Sequence, residues 1–378
     1  MATREIPSIS NKVGQSVFQR FDKAPIAAIR ETASLMRGQN STFLDFCIRN
    51  SLSLMPAFGE EAARWYLTGA AYFYQCYADE AEQLGIPVMK ASPAVADEIT
   101  RGKTDFLGIF HRANPVDREK IEQDILNQER RFSRALQRQN PVLSDALMVF
   151  LNKGEHHGRP PSTVIQFKEG AFDFYKVFLV QSARAEKEQA EEVKPASSFV
   201  IPISKAAIQT TLVEIILNRQ LFVSSTLDKI KGEGVLLDII NKAADSNPGY
   251  AQYYHLFASL VCASLLDECS RKEIAFPIVS EETATNIIVD MGRSIDGKDH
   301  LEISRVAIAK YQSVLNMMSV ENTYLLEAYD WLIEGYGIAL GSDRFMAAFF
   351  ATTYIYHHLR NQQWVDYLRN NLDLGATT

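Results

Sequence analysis

The sequence predicts an all-α protein: two helical lobes preceded by a flexible N-terminal arm. Apolar residues recur at three- and four-residue intervals almost throughout. Clusters of glycine, proline and small polar residues fall between those runs. Only Pro195 to Ser204 reads as extended, with Phe199-Val200-Ile201 able to make one short strand. A chain of 378 residues can bury a large core, and ordinary domain size favours two lobes over one.

In chain order, residues 1–25 contain Pro7 and Pro25 and the apolar anchors Ile6, Ile9, Val13, Val17, Phe18 and Phe21. These are too sparse for a core of their own, so the segment is either a frayed start or an arm that docks on its own body or a neighbouring subunit. From Ser41, the residues Phe43, Leu44, Cys47, Ile48 and Leu52 line one helical face; Glu60 to Leu84 repeats the pattern, and Gly85-Ile86-Pro87 stops it. Asn114-Pro115 opens a helix that ends before Asn140-Pro141, and further helices are expected over Gln166 to Ala190, Lys205 to Lys231 and Val235 to Ala244. Asp245-Ser246-Asn247-Pro248-Gly249 is the clearest punctuation of the second half. It divides an N-terminal lobe, 26–245, from a C-terminal lobe, 246–365, with a tail over 366–378. In the latter lobe, Tyr250 to Cys269, Glu281 to Met291, Leu301 to Met318, Val320 to Gly337, Ser342 to Asn361 and Trp364 to Leu372 read as helices.

Charge is distributed unevenly. The chain carries a net −7, yet between Arg130 and Lys168 stand seven cations, Arg130, Arg131, Arg134, Arg138, Lys153, Arg159 and Lys168, against two carboxylates, Asp145 and Glu155. Arg130, Arg134 and Arg138 fall at i, i+4 and i+8 of one helix and share a stripe. Cations late in a helix also oppose its macrodipole, so capping or plain solvation competes with ligand binding for each of them. The loop Gly154 to Pro161, with Lys153, His156, His157 and Arg159 and few acids, tips the stripe toward phosphate.

Other chemistry has little support. No G-x-G-x-x-G, phosphate-binding loop, G-x-S-x-G or H-E-x-x-H occurs, so an enzyme is not expected and no cofactor is implied. His156-His157 and His357-His358 are adjacent pairs that cannot chelate from one helical face, and Cys47, Cys76, Cys262 and Cys269 lack zinc spacing, so no metal is expected. Buried thiols in a reducing compartment are their expected state. Trp65-x3-Gly69-x2-Tyr72 imitates part of a tetratricopeptide repeat, but no copy follows at the period a stacked array needs, and helix packing explains it better. No apolar run spans a bilayer and the N-terminus lacks a secretory pattern, so a cytoplasmic location without membrane contact is expected. Aromatics are dense after Asp245; most should pack, but Tyr250 and Tyr253 are placed to stack on a base.

A bilobed helical layout with a sparse N-terminal arm, the Arg130-Arg131 pair late in an N-lobe helix, and the aromatic segment Pro248-Gly249-Tyr250 to Phe257-Ala258-Ser259 resembles the nucleoproteins of non-segmented negative-strand RNA viruses. A Ser-x-Ala-Met-Gly-like element found in many of them is replaced here by Phe257-Ala258-Ser259-Leu260. The resemblance implies single-stranded RNA held in a groove between lobes, phosphates on Arg130 and Arg131, and arms exchanged between copies to build a helical polymer in the cytoplasm or a virion. The expected partners are therefore RNA and the chain itself. Arg271 and Lys272 are expected to add phosphate contacts from the second lobe. The rival expectations are a structural shell (capsid) protein and a helical scaffold for protein partners.

Overall fold

The computed structural model describes residues 7–101, helical positions within 133–148 and 166–178, and residues 203–233, 236–245, 248–273, 275–276 and 322–336. Among these residues every regular element is helical and none is a strand. The strand expected at Phe199–Ile201, the helices expected at 281–291, 301–318, 342–361 and 364–372, and the tail 366–378 lie outside the described residues. The chain divides into two compact units, Met1–Glu191 and Glu192–Thr378.

Unit 1 opens with α1 (Asn11–Lys23), α2 (Pro25–Gln39) and α3 (Ser41–Leu84). Ser10 caps α1 by accepting from the Val13 amide, and Pro25 starts α2 at a position where no amide is needed. The segment expected as a flexible arm is thus, from Asn11 onward, a helix built into its own unit. Val13, Val17 and Phe21 are buried and α1 packs on α2 and α3. Anchors too sparse for an independent core suffice once α3 supplies the other wall.

α3 joins the two helices expected from the sequence across a kink. Pro56 removes a backbone donor and Gly59 adopts φ 82°, a left-handed conformation open chiefly to glycine. Its end is the expected stop: Gly85 is left-handed at φ 65°, its amide donates to Glu82 O at 3.1 Å, and that of Ile86 donates to Ala81 O at 2.9 Å. Phe43, Phe46, Tyr74, Tyr77, Phe174 and Phe178 form the aromatic core, with Phe174 and Phe178 centroids 4.9 Å apart. Beside it, buried Asn40 donates to Met89 O at 2.8 Å and accepts from the Ala91 amide at 2.9 Å, pinning the chain that follows α3.

The partial tetratricopeptide spacing has a packing cause. A Cβ on Gly69 would fall well inside contact with the Phe167 carbonyl oxygen, and one on Gly170 would strike that of Tyr66. The two glycines let α3 and the helical positions at Phe167 and Gly170 cross at backbone distance.

Unit 2 contains α4 (Lys205–Ile230), α5 (Leu236–Asp245), a 3-10 turn (Pro248–Tyr250), α6 (Ala251–Arg271) and α7 (Thr323–Gly335). The turn at Asp245–Gly249, read from the sequence as the border between lobes, lies inside this unit, where α5 before it and α6 after it pack on each other. α4 is broken at Asn218, φ −164° and ψ 91°, whose Oδ1 accepts from the Leu221 amide at 3.1 Å and so caps the second segment.

The two units share a frame that the sequence pattern does not announce. At one constant spacing, Ile9, Ser10, Gln15, Thr32 and Gly38 correspond to Ile203, Ser204, Gln209, Thr226 and Gly232. The α1–α2 junction at Ala24, φ −148° and ψ 69°, corresponds to the break at Asn218. The buried face repeats too: Val13, Gly14, Val17 and Phe21 match Ala207, Ile208, Thr211 and Ile215, buried in both cases. Thr32 and Thr226 are both buried and both donate one turn back, to Ala28 O at 2.8 Å and Phe222 O at 2.9 Å. At a second constant spacing, Tyr66, Ala70, Asp79 and Glu80 of α3 match Tyr254, Ala258, Asp267 and Glu268 of α6. Left-handed Gly85 then matches Glu273 at φ 55°.

In each unit the capping serine is tied to the matching glutamate. Ser10 donates its amide and its hydroxyl to Glu80 Oε2, both at 2.8 Å. The Ser204 amide donates to Glu268 Oε2 at 3.1 Å. Each nearly buried carboxylate thereby fixes the start of one helix against the end of another.

Candidate nucleic-acid interface

Of the cations predicted between Arg130 and Lys168, Arg134 and Arg138 lie among the described residues. Both are exposed and helical, one turn apart, with Leu136 between them 1% exposed. The face opposite the arginines is turned inward, and further along this stretch Val142 lies against Gly14 of α1, where a Cβ would sit 2.6 Å from Val142 Cγ1. Neither arginine takes part in the ion pairs formed among the described residues. Arg20 of α1, by contrast, is matched by Asp79. Arg130, Arg131, Lys153, Arg159 and Lys168 lie outside the described residues, as do His156, His157, His357 and His358.

Arg271 and Lys272 are exposed but engaged. Arg271 Nη2 donates to Asp267 Oδ2 at 2.8 Å, to Glu268 Oε2 at 3.3 Å and to Ser204 Oγ at 3.0 Å, while Lys272 Nζ pairs with Glu268 Oε1 at 2.9 Å. Burial works to raise the pKa of Glu268, but hydrogen bonds from Ser204 and Lys272 and the nearby ammonium outweigh it and hold the carboxyl below its ordinary range. Arg271 therefore ties the end of α6 to the serine that caps α4, and Lys272 pairs with Glu268 from just beyond the end of α6.

Tyr250 closes the 3-10 turn and Tyr253 lies in the first turn of α6. Tyr253 is half-buried and meets Tyr336, at the end of α7, edge to face with centroids 6.4 Å apart. The Arg219 guanidinium, just past the Asn218 break, lies 5.0 Å from the Tyr336 ring centroid. A second cation, Lys205 Nζ at the start of α4, lies 5.0 Å from the Tyr324 centroid. Arg219 does not stand out in the sequence, and the pattern around Tyr336 reads as packing. The available signal is an asparagine and an arginine together in mid-helix, a combination too common to carry a prediction.

Several other polar groups are buried or half-buried inside the units. Asp173 is buried, accepts from the Tyr66 hydroxyl at 2.6 Å and faces Lys176 Nζ at 3.3 Å. Burial, aided by the Asp173 charge, drives the Tyr66 pKa well above its ordinary value, so the phenol stays protonated as the donor. All four cysteines are buried, and burial pushes the Cys262 thiol up to about 12, which removes it as a nucleophile at neutral pH. Burial lowers the pKa of His255 while Asp245 pulls it the other way.

Among the described residues no group of three His, Cys, Asp or Glu is placed to hold a metal ion, and no helix is long and apolar enough to cross a membrane. The described surfaces include an exposed arginine pair in unit 1, Arg134 and Arg138, and an arginine–tyrosine cluster in unit 2. Comparison of the chain with family models, with curated proteins and with solved structures finds no match.

Proposed function

We propose that this chain is a sequence-independent single-stranded RNA-binding nucleoprotein that self-assembles and encapsidates a viral genome. Phosphates are neutralised by Arg130, Arg131, Arg134, Arg138, Lys153, Arg159 and Lys168. The observation that carries the reading is the pair Arg134 and Arg138, exposed one turn apart and outside the ion pairs of the described residues. A net charge of −7 does not oppose it, because affinity follows local counterion release rather than the total. Arg271 and Lys272, matched by carboxylates, contribute little.

The test is anisotropy of a fluorescent oligouridine titrated with wild type and with the double variant Arg134→Glu/Arg138→Glu. Both positions are exposed, so the fold should tolerate the change. The variant should bind at least about tenfold more weakly, and its slope of log affinity against log salt should flatten by about 0.7 for each phosphate that is no longer neutralised. A wild-type protein that ignores the oligonucleotide at low salt overturns the reading.

A shell or scaffold that assembles through apolar contacts is the second reading, favoured by Leu84 and Ile86, which flank the end of α3 at 55% and 41% exposure. Assembly that survives the arginine reversal but is abolished in Leu84→Asp would select it.

A further inference from the structure

The cluster of Arg219, Tyr253 and Tyr336 belongs to unit 2 alone and draws on three separate elements, the second segment of α4, the first turn of α6 and the residue after α7. All three residues are half-buried, and the Tyr336 hydroxyl is enclosed. The Arg219 guanidinium stands 5.0 Å from the Tyr336 centroid, and the Tyr336 and Tyr253 rings meet at 61° with centroids 6.4 Å apart.

The frame shared by the two units separates this cluster from general packing. At the corresponding positions unit 1 carries Pro25, which starts α2, and Trp65, whose ring turns to Phe167 at 6.2 Å. The helical frame therefore forms without an arginine and tyrosine at these places. Two partly open phenol rings beside a fixed cation are also the groups that bind one nucleotide of a flexible strand. A ring face takes the base whatever its identity, and the guanidinium adds a cation–π contact and charge for the adjoining phosphate. Chain breaks favour such an arrangement, because the irregular backbone at Asn218, itself exposed, brings Arg219 out of the helical register of the first α4 segment.

We propose that Arg219, Tyr253 and Tyr336 form a base-stacking subsite for single-stranded RNA. This rests on the RNA-binding reading above and adds that the bases, as well as the phosphates, are held. The full-length chain is titrated against two fluorescent probes of equal length, an oligouridine and an abasic ribose-phosphate oligomer. Wild type should bind the oligouridine about tenfold more tightly or better. Tyr253→Leu and Tyr336→Leu should abolish that preference while leaving abasic binding unchanged, and Tyr253→Phe and Tyr336→Phe, which keep the rings, should retain it. Equal wild-type affinity for the two probes overturns the subsite while leaving phosphate binding intact, and that comparison decides the matter even if the leucine variants fail to fold. A preference that persists in folded leucine variants also overturns it. Binding of neither probe sinks the RNA reading itself, and the subsite with it.

Discussion

Unit 1 and unit 2 build the same frame and fill it differently. In unit 1, α3 presents Gly69, and the helical positions at Phe167 and Gly170 approach to backbone distance. At the matching position of unit 2, α6 presents Phe257, fully buried, whose ring meets Tyr329 of α7 edge to face at 5.3 Å. Around that difference the serine–glutamate tie, the buried threonine and the left-handed residue after the long helix recur. What persists is the set of groups that satisfy backbone donors and turn the chain. Apolar positions differ between the units, because any well-packed combination of suitable volume serves.

The largest expected effects come from exchanging the two fillings. Gly69→Ala and Gly170→Ala should each destabilise unit 1 by about 3 kcal/mol, the upper end of the usual overpacking cost, since the clash is with backbone that cannot swing away. Phe257→Ala should cost about 3–5 kcal/mol through the cavity it leaves. Urea unfolding followed by far-UV circular dichroism reads all three, and a mild effect at Gly69 would mean that the two helices can separate at little cost.

Next are the tied carboxylates. Glu80→Ala and Glu268→Ala should each cost about 1–3 kcal/mol by orphaning the Ser10 or Ser204 amide. pH tests the tie of unit 2. Because the folded-state pKa of Glu268 is lowered, its stabilisation is complete above the ordinary glutamate value and is lost as pH falls through the lowered one. The stability gap between wild type and Glu268→Gln should therefore shrink on acidification, read as urea midpoints over a pH series; a gap that is constant with pH would show that the Glu268 charge does not hold α4 to α6.

Ser10→Ala and Ser204→Ala remove the helix caps and should each cost about 1 kcal/mol in thermal or urea melts. The smallest effect tests the end of the frame. Glu273 is held at φ 55° where unit 1 uses Gly85, so Glu273→Gly should stabilise the protein by about 1 kcal/mol and Gly85→Ala should do the reverse. Equal responses at the two sites would show that they are not equivalent.

Helix positions were legible because burial of one face imposes a period on the chain. The starts at Ser41, Lys205 and near Tyr250 and the stop at Gly85 follow from it, as does the separation of the two segments of α3. The break at Asn218 was not legible, since asparagine is ordinary inside a helix and marks an end only when its side chain is drawn to the following amide. Nor was the shared frame, because its retained residues, among them Ser10, Thr32 and Glu80, are scattered singly among substituted core positions. Arg271 and Lys272 were read as binding residues although Asp267 and Glu268 stand four positions before them, the spacing at which helical ion pairs form. That spacing was present in the sequence.

Alone, the sequence determined that the described chain is helical, where most of its helices begin and end, and where positive charge gathers, because periodicity, capping residues and charge are local properties. Only the tertiary structure decided that α1 is an integral part of unit 1, that Glu80 and Glu268 each hold a distant serine, and that Arg219 meets Tyr336. The reason is physical. Whether a side chain is buried, paired or left facing solvent depends on which surfaces the folded chain brings together, and residues far apart in sequence carry no local mark of that meeting.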